Sequence, residues 1–283
     1  MSLRIGAKLP HTGSSANGAA VRSAAIALEE AGFDSLWVSD HVVLPERVAS
    51  TYPFSSDGVA RWSTDLDYLE ALLTLTAAAA VTSRVALGTA VLVLPQRQPV
   101  LLAKQAATLD ALSGGRLVLG VGAGWLAEEF AALGASFEDR GPRMAEVIGV
   151  LRSCWSGRHE GLLVLPRPVG GACGLPVLVG GHSPAALRRA GVIGDGWLAQ
   201  QAAADLDPDA IAHDAARMRS AAQAAGRDAS SLRVVLRVAD SLGRLEQVAA
   251  HLSDLVAAGV DEVVVDVNPA GDPAGDYGLL RSA

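Results

Sequence analysis

The sequence is poor in positive charge. Lysine occurs at only two positions, Lys8 and Lys104, and the remaining basic residues are arginines. The formal net charge is -7 and the isoelectric point is about 5.3. Proteins that bind nucleic acid or anionic membrane surfaces generally present a basic face. The composition therefore argues against both partners and leaves a small-molecule substrate.

Cysteine and long apolar runs are scarce as well. Cys154 and Cys173 have no metal-ligand spacing and make no disulfide framework, so we expect a reduced pair of the cytosolic kind. The N-terminal residues lack the apolar core of a signal peptide. The longest apolar runs, such as Val85–Leu94, are too short to span a bilayer. These absences predict a soluble, cytoplasmic protein.

Several catalytic motifs are missing. There is no GxSxG elbow, and no GxGxxG follows the first predicted strand. A Schiff-base aldolase barrel needs a lysine inside the barrel near a strand end, where only Lys8 qualifies. The histidines occur singly, so no metal site is predicted. They are His11, His41, His159, His182, His213 and His251.

What the sequence does contain is a regular alternation of β-branched runs with alanine- and leucine-rich helical stretches. The predicted strands are Leu3–Leu9, Ser35–Ser39, Val85–Leu92, Leu117–Val121, Pro176–Val179, Gly196–Ala199, Leu232–Val238 and Glu262–Val267. The predicted helices include Gly18–Ala31, which ends at Gly32, Leu66–Thr82 and Leu245–Ala258. Eight strand-then-helix units in 283 residues favour a single (β/α)₈ (TIM) barrel domain over residues 1–283. An open doubly wound sheet is the alternative.

Two segments interrupt this alternation. Val42–Asp65 follows the second strand and is polar and aromatic, whereas Gly157–Gly174, before the fifth strand, is rich in glycine and proline. Long loops in a compact domain are usually functional or mobile. Because the first leaves the C-terminal rim, where such barrels carry out chemistry, we interpret it as a lid over a pocket.

Asp40 and His41 stand at that same rim. A histidine there can be neutral or charged near pH 7, and an adjacent acid can favour the charged form. The pair is therefore a candidate for proton transfer, with His41 as donor and Asp40 in support. The alternative is a rim histidine that only caps a loop.

Gly180-Gly181-His182-Ser183-Pro184 predicts an anion site. Ser183 suits a helix N-cap and Pro184 the first helical position, and the glycines leave backbone N–H groups free beside the helix dipole. His182 could add charge.

Gly122-Ala123-Gly124 ends the fourth strand, where two glycines would allow a flat ligand to approach the backbone. Close strand–helix packing produces the same pattern.

Four blocks carry a family resemblance. Residues 31–42 read AGFDSLWVSDHV and residues 84–91 read RVALGTAV. Residues 109–117 read LDALSGGRL and run into GVGAGW at 120–125, and VGG at 179–181 precedes GDGW at 194–197. Together they resemble the luciferase-like monooxygenase superfamily, and especially its actinobacterial branch that uses the deazaflavin coenzyme F420. The likeness covers roughly residues 3–200 and is only generic beyond Trp197, and the 157–174 connector looks shorter than usual.

The resemblance implies a ring cofactor across the barrel mouth, beside a bulge at Thr89, Ala90 and Val91 with a non-prolyl cis Ala90-Val91 bond. It assigns Gly122, Ala123 and Gly124 to the ring and ribityl side of the cofactor, and Gly180, Gly181, His182 and Ser183 to the cofactor phosphate. Trp125 would then stand at the pocket wall, and a core tryptophan is the alternative. Glu128 and Glu129 start the next helix; a solvated position is expected for both, and the alternative is that one of them faces the cofactor tail. Coenzyme F420 implies hydride transfer to or from an organic substrate, and FMN with oxygen activation is the alternative. A non-catalytic cofactor-binding barrel is a third hypothesis, and a homodimer is expected.

Overall fold

The structure is a computed structural model that describes residues 3–14, 16–53, 55, 57–60, 62–171 and 174–283. Its strands are β1 (Arg4–Lys8), β2 (Ser35–Val38), β3 (Ala86–Val93), β4 (Leu117–Gly122), β5 (Arg158–His159), β6 (Leu162–Leu163), β7 (Val177–Gly180), β8 (Gly196–Ala202), β9 (Arg233–Ala239) and β10 (Glu262–Val265). All but β5 and β6 pair in parallel and close a barrel in the order β1-β10-β9-β8-β7-β4-β3-β2. The barrel prediction is confirmed, and the open-sheet alternative is wrong.

The helices cover the outside of the barrel. They are α1 (Gly18–Ala31), α2 (Ala71–Ala79), α3 (Pro99–Ser113), α4 (Ala127–Ala132), α5 (Arg140–Trp155), α6 (Pro184–Ile193), α7 (Pro208–Ala224), α8 (Leu245–Ala249), α9 (Leu252–Ala257) and α10 (Pro273–Arg281). α1 matches its prediction, with Asn17 accepting from the Ala19 and Ala20 amides and Gly32 in the left-handed region at φ 109°. Within the described residues, no helix is both long and apolar enough to cross a membrane.

Two helix predictions needed correction, and one helix was not predicted. The predicted Leu66–Thr82 helix begins only at Ala71, because Tyr68 bridges to Thr12 in extended conformation and the Glu70 carboxylate caps the Leu73 amide. The predicted Leu245–Ala258 helix is interrupted between α8 and α9. The C-terminal helix α10 was not predicted; it is capped by Asp272, and Tyr277 packs on Phe33.

Alternation along the strands separates two packing layers. Ile5, Ala7 and Leu9 of the β1 segment face the helices, as do alternate residues of the other strands. A smaller inner cluster fills the barrel and consists of Trp37, Val118, Leu178, Leu198, Val235 and Val264. Residues two positions further along these strands therefore face the C-terminal mouth from inside.

The connector before β7 is a short hairpin. β5 and β6 pair antiparallel across Glu160 and Gly161, which both have positive φ, at 47° and 81°. The Asp110 carboxylate accepts from the Val169 amide at 2.8 Å and so attaches the connector to α3. Cys154 is a buried free thiol on α5, and the second cysteine, Cys173, lies outside the described residues.

Candidate functional site

A bulge in β3 forms one wall of the mouth. The Ala90-Val91 bond is cis, as predicted, and the pairing with β4 shifts register between Thr89 and Leu92. Thr89 is buried and donates from Oγ1 to the Gly120 carbonyl at 2.8 Å. The bulge turns the Val91 side chain inward, where it packs against the inner cluster.

The glycines on β4 and β7 make room for this bulge. A Cβ atom on Gly122 would lie 2.5 Å from Val91 Cγ2, and one on Gly180 would lie 2.8 Å from Val91 Cγ1. Gly124 has φ 81° and lies against Phe130 and Val93, so it too is set by packing. The space in front of Gly122 and Gly180 is thus taken by Val91, and the flat surface offered to a ligand is Val91 with its neighbours.

His41 has a buried carboxylate partner. Its Nδ1 donates to Glu129 Oε2 at 3.0 Å, and Glu129 Oε1 accepts from the Val42 amide at 2.5 Å. Glu129 is 1% exposed, although a solvated position was expected. Because Nδ1 is engaged, the other ring nitrogen, Nε2, is left for the mouth. Glu129 is separated from His41 by 88 residues, so nothing in the local sequence indicated the contact.

Asp40 does not support His41. Its Oδ1 pairs with Arg97 at 2.5 Å, and its Oδ2 accepts from the Val93 amide at 2.9 Å. Arg97 also pairs with Glu70 at 3.0 Å. Burial raises the pKa of Asp40, and Arg97 opposes that rise. Asp40 therefore joins β2 to the end of β3, and the predicted Asp40–His41 pair is replaced by Glu129–His41.

A polar chain runs beneath His41. Tyr68 packs edge-on to His41 with ring centroids 5.4 Å apart, and its hydroxyl forms a short hydrogen bond with Ser39. His11 donates from Nδ1 to the Leu9 carbonyl and accepts at Nε2 from the Ser39 amide. Burial, and then the charge of Lys8, lower the pKa of His11 to about 4. His11 is consequently neutral at pH 7 and orients Ser39 and Tyr68.

The described residues of the insertion after β2 lie across the mouth. Trp62 lies 5.7 Å from the His41 ring, and Tyr52 lies 5.1 Å from Trp125 and hydrogen-bonds the Gln200 side chain. Trp125 therefore packs between the insertion and His41. Glu128 fastens the insertion by accepting from Ala49, and from the amide and hydroxyl of Ser50.

The turn from β7 to α6 has the predicted shape. Ser183 accepts from the Ala186 amide at 3.2 Å, Pro184 starts α6, and Gly181 has φ 108°. Within the described chain, the backbone N–H groups of Gly181, His182 and Ser183 donate to no backbone acceptor. His182 differs from expectation, because Nε2 accepts from the Gln200 amide at 3.1 Å and Nδ1 lies 3.5 Å from Asp214. Through these two contacts the His182 ring fixes the position of the turn.

The opposite wall of the mouth was not predicted. Four polar side chains stand there, each two residues beyond an inner-facing position of a strand. They are Lys8 after β1 position Gly6, Gln200 after Leu198 of β8, Arg237 after Val235 of β9, and Asp266 after Val264 of β10. Arg237 pairs with Asp266 at 2.5 Å. Counting every second residue from the apolar inner positions would have placed these side chains in the mouth.

A scan against family models matches residues 3–272 to the luciferase-like monooxygenase model. The chain belongs to the luciferase-like monooxygenase family. The resemblance stated from the four sequence blocks is confirmed, and with it the expectation of an oxidoreductase at the level of the family.

Curated relatives of this family member include an uncharacterised protein of Mycobacterium tuberculosis (strain ATCC 25618 / H37Rv), 35% identical over 208 residues, which are 71% of this chain and 70% of that protein. An F420-dependent glucose-6-phosphate dehydrogenase of Amycolatopsis mediterranei (strain U-32) is 34% identical over 188 residues, 62% of this chain and 51% of the relative.

Two solved structures share the fold at low identity. An F420-dependent secondary alcohol dehydrogenase with an F420-acetone adduct aligns with a TM-score of 0.75 and 17% identity, covering 100% of this chain and 98% of that one. The monooxygenase RslO1 from Streptomyces bottropensis aligns with a TM-score of 0.75 and 20% identity, covering 99% and 98%.

Proposed function

We propose that this luciferase-like protein is an oxidoreductase that binds coenzyme F420 and transfers a hydride between the deazaflavin ring and a small organic substrate. The observation that carries the proposal is the pairing of a cis-peptide bulge at Ala90-Val91 with His41 held by Glu129 across the same mouth. F420 is preferred because a relative 34% identical to this chain is named for that cofactor.

The described residues fit such a cofactor. Val91 presents an apolar surface on which a planar ring can rest, and Gly122 and Gly180 accept no Cβ beside it. The free N–H groups of the Gly181–Ser183 turn, together with the start of α6, suit the cofactor phosphate. When bound, F420 would supply the hydride chemistry, while the chain supplies position and proton.

His41 is assigned the proton. Glu129 holds the ring through Nδ1, which leaves Nε2 to donate a proton to, or accept one from, an oxygen of the substrate. Trp62, Tyr68 and Trp125 surround the histidine, whose side chain is only 11% exposed, and so limit the access of water to it. Asp40 contributes by fixing the end of β3 through Arg97 and Val93.

A fluorescence titration of the purified protein with F420, and separately with FMN, tests the cofactor. We expect tighter binding of F420. Clear preference for FMN would replace the proposal with an oxygen-activating flavin monooxygenase of the same fold.

Replacement of His41 by alanine tests the chemistry once a turnover assay exists. We expect F420 binding within about threefold of wild type and turnover reduced by roughly 10²–10⁴-fold, the usual contribution of a positioned acid or base. A wild-type protein that binds F420 but turns over no member of a panel of alcohols, aldehydes and ketones would favour a cofactor-binding barrel without catalysis.

We also propose a cytoplasmic homodimer that associates through α2 and α3. Leu73, Leu101 and Leu112 on these helices are 71%, 56% and 67% exposed, which is unusual for leucines grouped on one face. Sedimentation velocity of wild type and Leu112→Glu tests the dimer: we expect a dimer for the first and a monomer for the second.

A further inference from the structure

Lys8 is a charged group of the barrel mouth that has no part in the proposed reaction. It ends β1 on the inner side of the barrel, since its neighbours Ala7 and Leu9 pack outward against the helices and Gly6 faces Trp37. The side chain is partly buried. Within the described part of the chain its ammonium forms no hydrogen bond and no ion pair.

No charge around Lys8 forms an ion pair with it within the described residues. Arg237 and Asp266 act on it from β9 and the end of β10, but they pair with each other at 2.5 Å. Asp240, beyond β9, is exposed, so solvent screens its field. His11 is neutral at pH 7, as its pKa of about 4 requires. Lys8 is therefore a cation of the mouth with no direct ion-pair partner among the described residues.

The position of this charge matters. In the barrel, β9 lies diametrically opposite the bulged strand β3, and β1 and β10 lie between β9 and β2. A ring resting on Val91 would turn its other face toward Lys8 and Arg237. That free face is where a substrate must lie to exchange a hydride.

We propose that the substrate carries an anionic oxygen group, a carboxylate or a phosphate, which binds the Lys8 ammonium on the free face of the ring. This inference rests on the proposed function for its orientation. An ammonium withdrawn from water and left without a partner binds an oxyanion through charge-assisted hydrogen bonds. Burial, followed by the repulsion of Arg237, lowers the pKa of Lys8, and a bound anion would relieve both effects.

The scarcity of lysine allows a direct test. Reductive ¹³C-methylation of the full-length protein labels only Lys8, Lys104 and the amino terminus. We expect the Lys8 signal to shift saturably with sodium acetate or inorganic phosphate, and not with sodium chloride of equal ionic strength. The stronger of the two anions identifies the group. Lys104, on α3, is the internal control, and a Lys8 signal that responds to neither anion overturns the proposal.

Variants provide a second measurement. The same anions should raise the melting temperature of wild type, Lys8→Arg and Lys104→Met, because a ligand that binds only the folded state stabilises it. Lys8→Met should bind about tenfold more weakly and lose most of the shift. An unchanged shift in Lys8→Met would contradict the proposal even if the Lys8 signal moves.

Titration with F420 separates this inference from the proposed function. Lys8→Met should bind F420 within about threefold of wild type. If its F420 affinity falls tenfold or more, the anion belongs to the cofactor and the substrate assignment is wrong. Wild-type protein that fails to bind F420 refutes the proposed function, whereas the response of Lys8 to anions is measured without the cofactor.

Discussion

The two halves of the barrel mouth are built in opposite ways. The half formed by β3, β4 and β7 presents Val91 over Gly122 and Gly180, with no charged side chain at these positions. The half formed by β1, β8, β9 and β10 presents Lys8, Gln200, Arg237 and Asp266. The first half is suited to binding a flat ring through its shape, and the second half is suited to binding a small charged group. Glu129 reaches from α4, after β4, to His41, after β2, and so connects the glycine side to the chemistry.

The largest effect is expected from breaking that connection with Glu129→Gln. The amide cannot accept at both His41 and Val42 as the carboxylate does, so the ring loses its fixed orientation. Turnover should fall by roughly 10²–10³-fold with F420 affinity little changed. Steady-state kinetics measure the first and fluorescence titration the second.

Glu138→Gln is the matched control, because Glu138 is exposed on the surface. Equal turnover in wild type and Glu129→Gln would show that His41 acts without its carboxylate.

The second effect concerns stability and His11, which follows β1 of the charged half and orients Ser39 and Tyr68. The pKa of His11 is lowered from 6.5 to about 4, so the unfolded chain binds the proton more readily than the folded one in that interval. The free energy of unfolding should therefore be fully retained above pH 6.5 and should fall by about 3 kcal/mol as the pH drops to 4. Urea unfolding at a series of pH values measures this slope.

In His11→Asn the slope of the free energy of unfolding against pH should be shallower over this interval, by up to the amount that corresponds to one bound proton. His213→Asn is the control, since His213 is exposed on α7. An unchanged slope in His11→Asn would assign the pH dependence to other groups.

A third, smaller effect tests the glycine half. Gly122→Ala places a Cβ 2.5 Å from Val91 Cγ2, and overpacking of this kind costs about 1–3 kcal/mol of stability. The affinity for F420 should fall together with the stability, because Val91 must move. Urea unfolding and F420 titration give both values.

The double variant Val91→Ala/Gly122→Ala should recover part of the loss, with a coupling of at least about 0.5 kcal/mol. Gly149→Ala, on an exposed position of α5 with open space around it, should be neutral or slightly stabilising. Full additivity of the two changes in stability would show that Val91 and Gly122 are not energetically coupled.

The smallest effect is expected at the insertion that joins the halves. Tyr52→Phe keeps the ring contact with Trp125 but removes the hydroxyl that bonds Gln200. The loss of one hydrogen bond of about 1 kcal/mol should raise KM roughly fivefold and leave kcat unchanged. A change in kcat alone would place Tyr52 in the chemistry instead.

Much of the glycine half could be predicted from the sequence. The strand order, the helix start at Ser183 and Pro184, and the backbone irregularity at Ala90-Val91 follow from local patterns or from a contiguous family block. The charged half was missed, although counting every second residue from the apolar inner positions would have found it. The partners of Asp40 and His41 could not be predicted from the sequence. Arg97 and Glu129 are separated from them by 57 and 88 residues, and only closure of the barrel brings them together.

The sequence by itself determined that strands and helices alternate, which favoured a closed barrel over an open sheet, because periodicity and turn residues act over short distances. It also determined where His41 stands, at the end of β2. The tertiary structure decided which carboxylate reaches it. Asp40, next in the chain, points to Arg97, whereas Glu129 is carried to His41 by the neighbouring α4. Side chains adjacent in sequence at a strand end face different ways, so chemical partners are chosen by the fold.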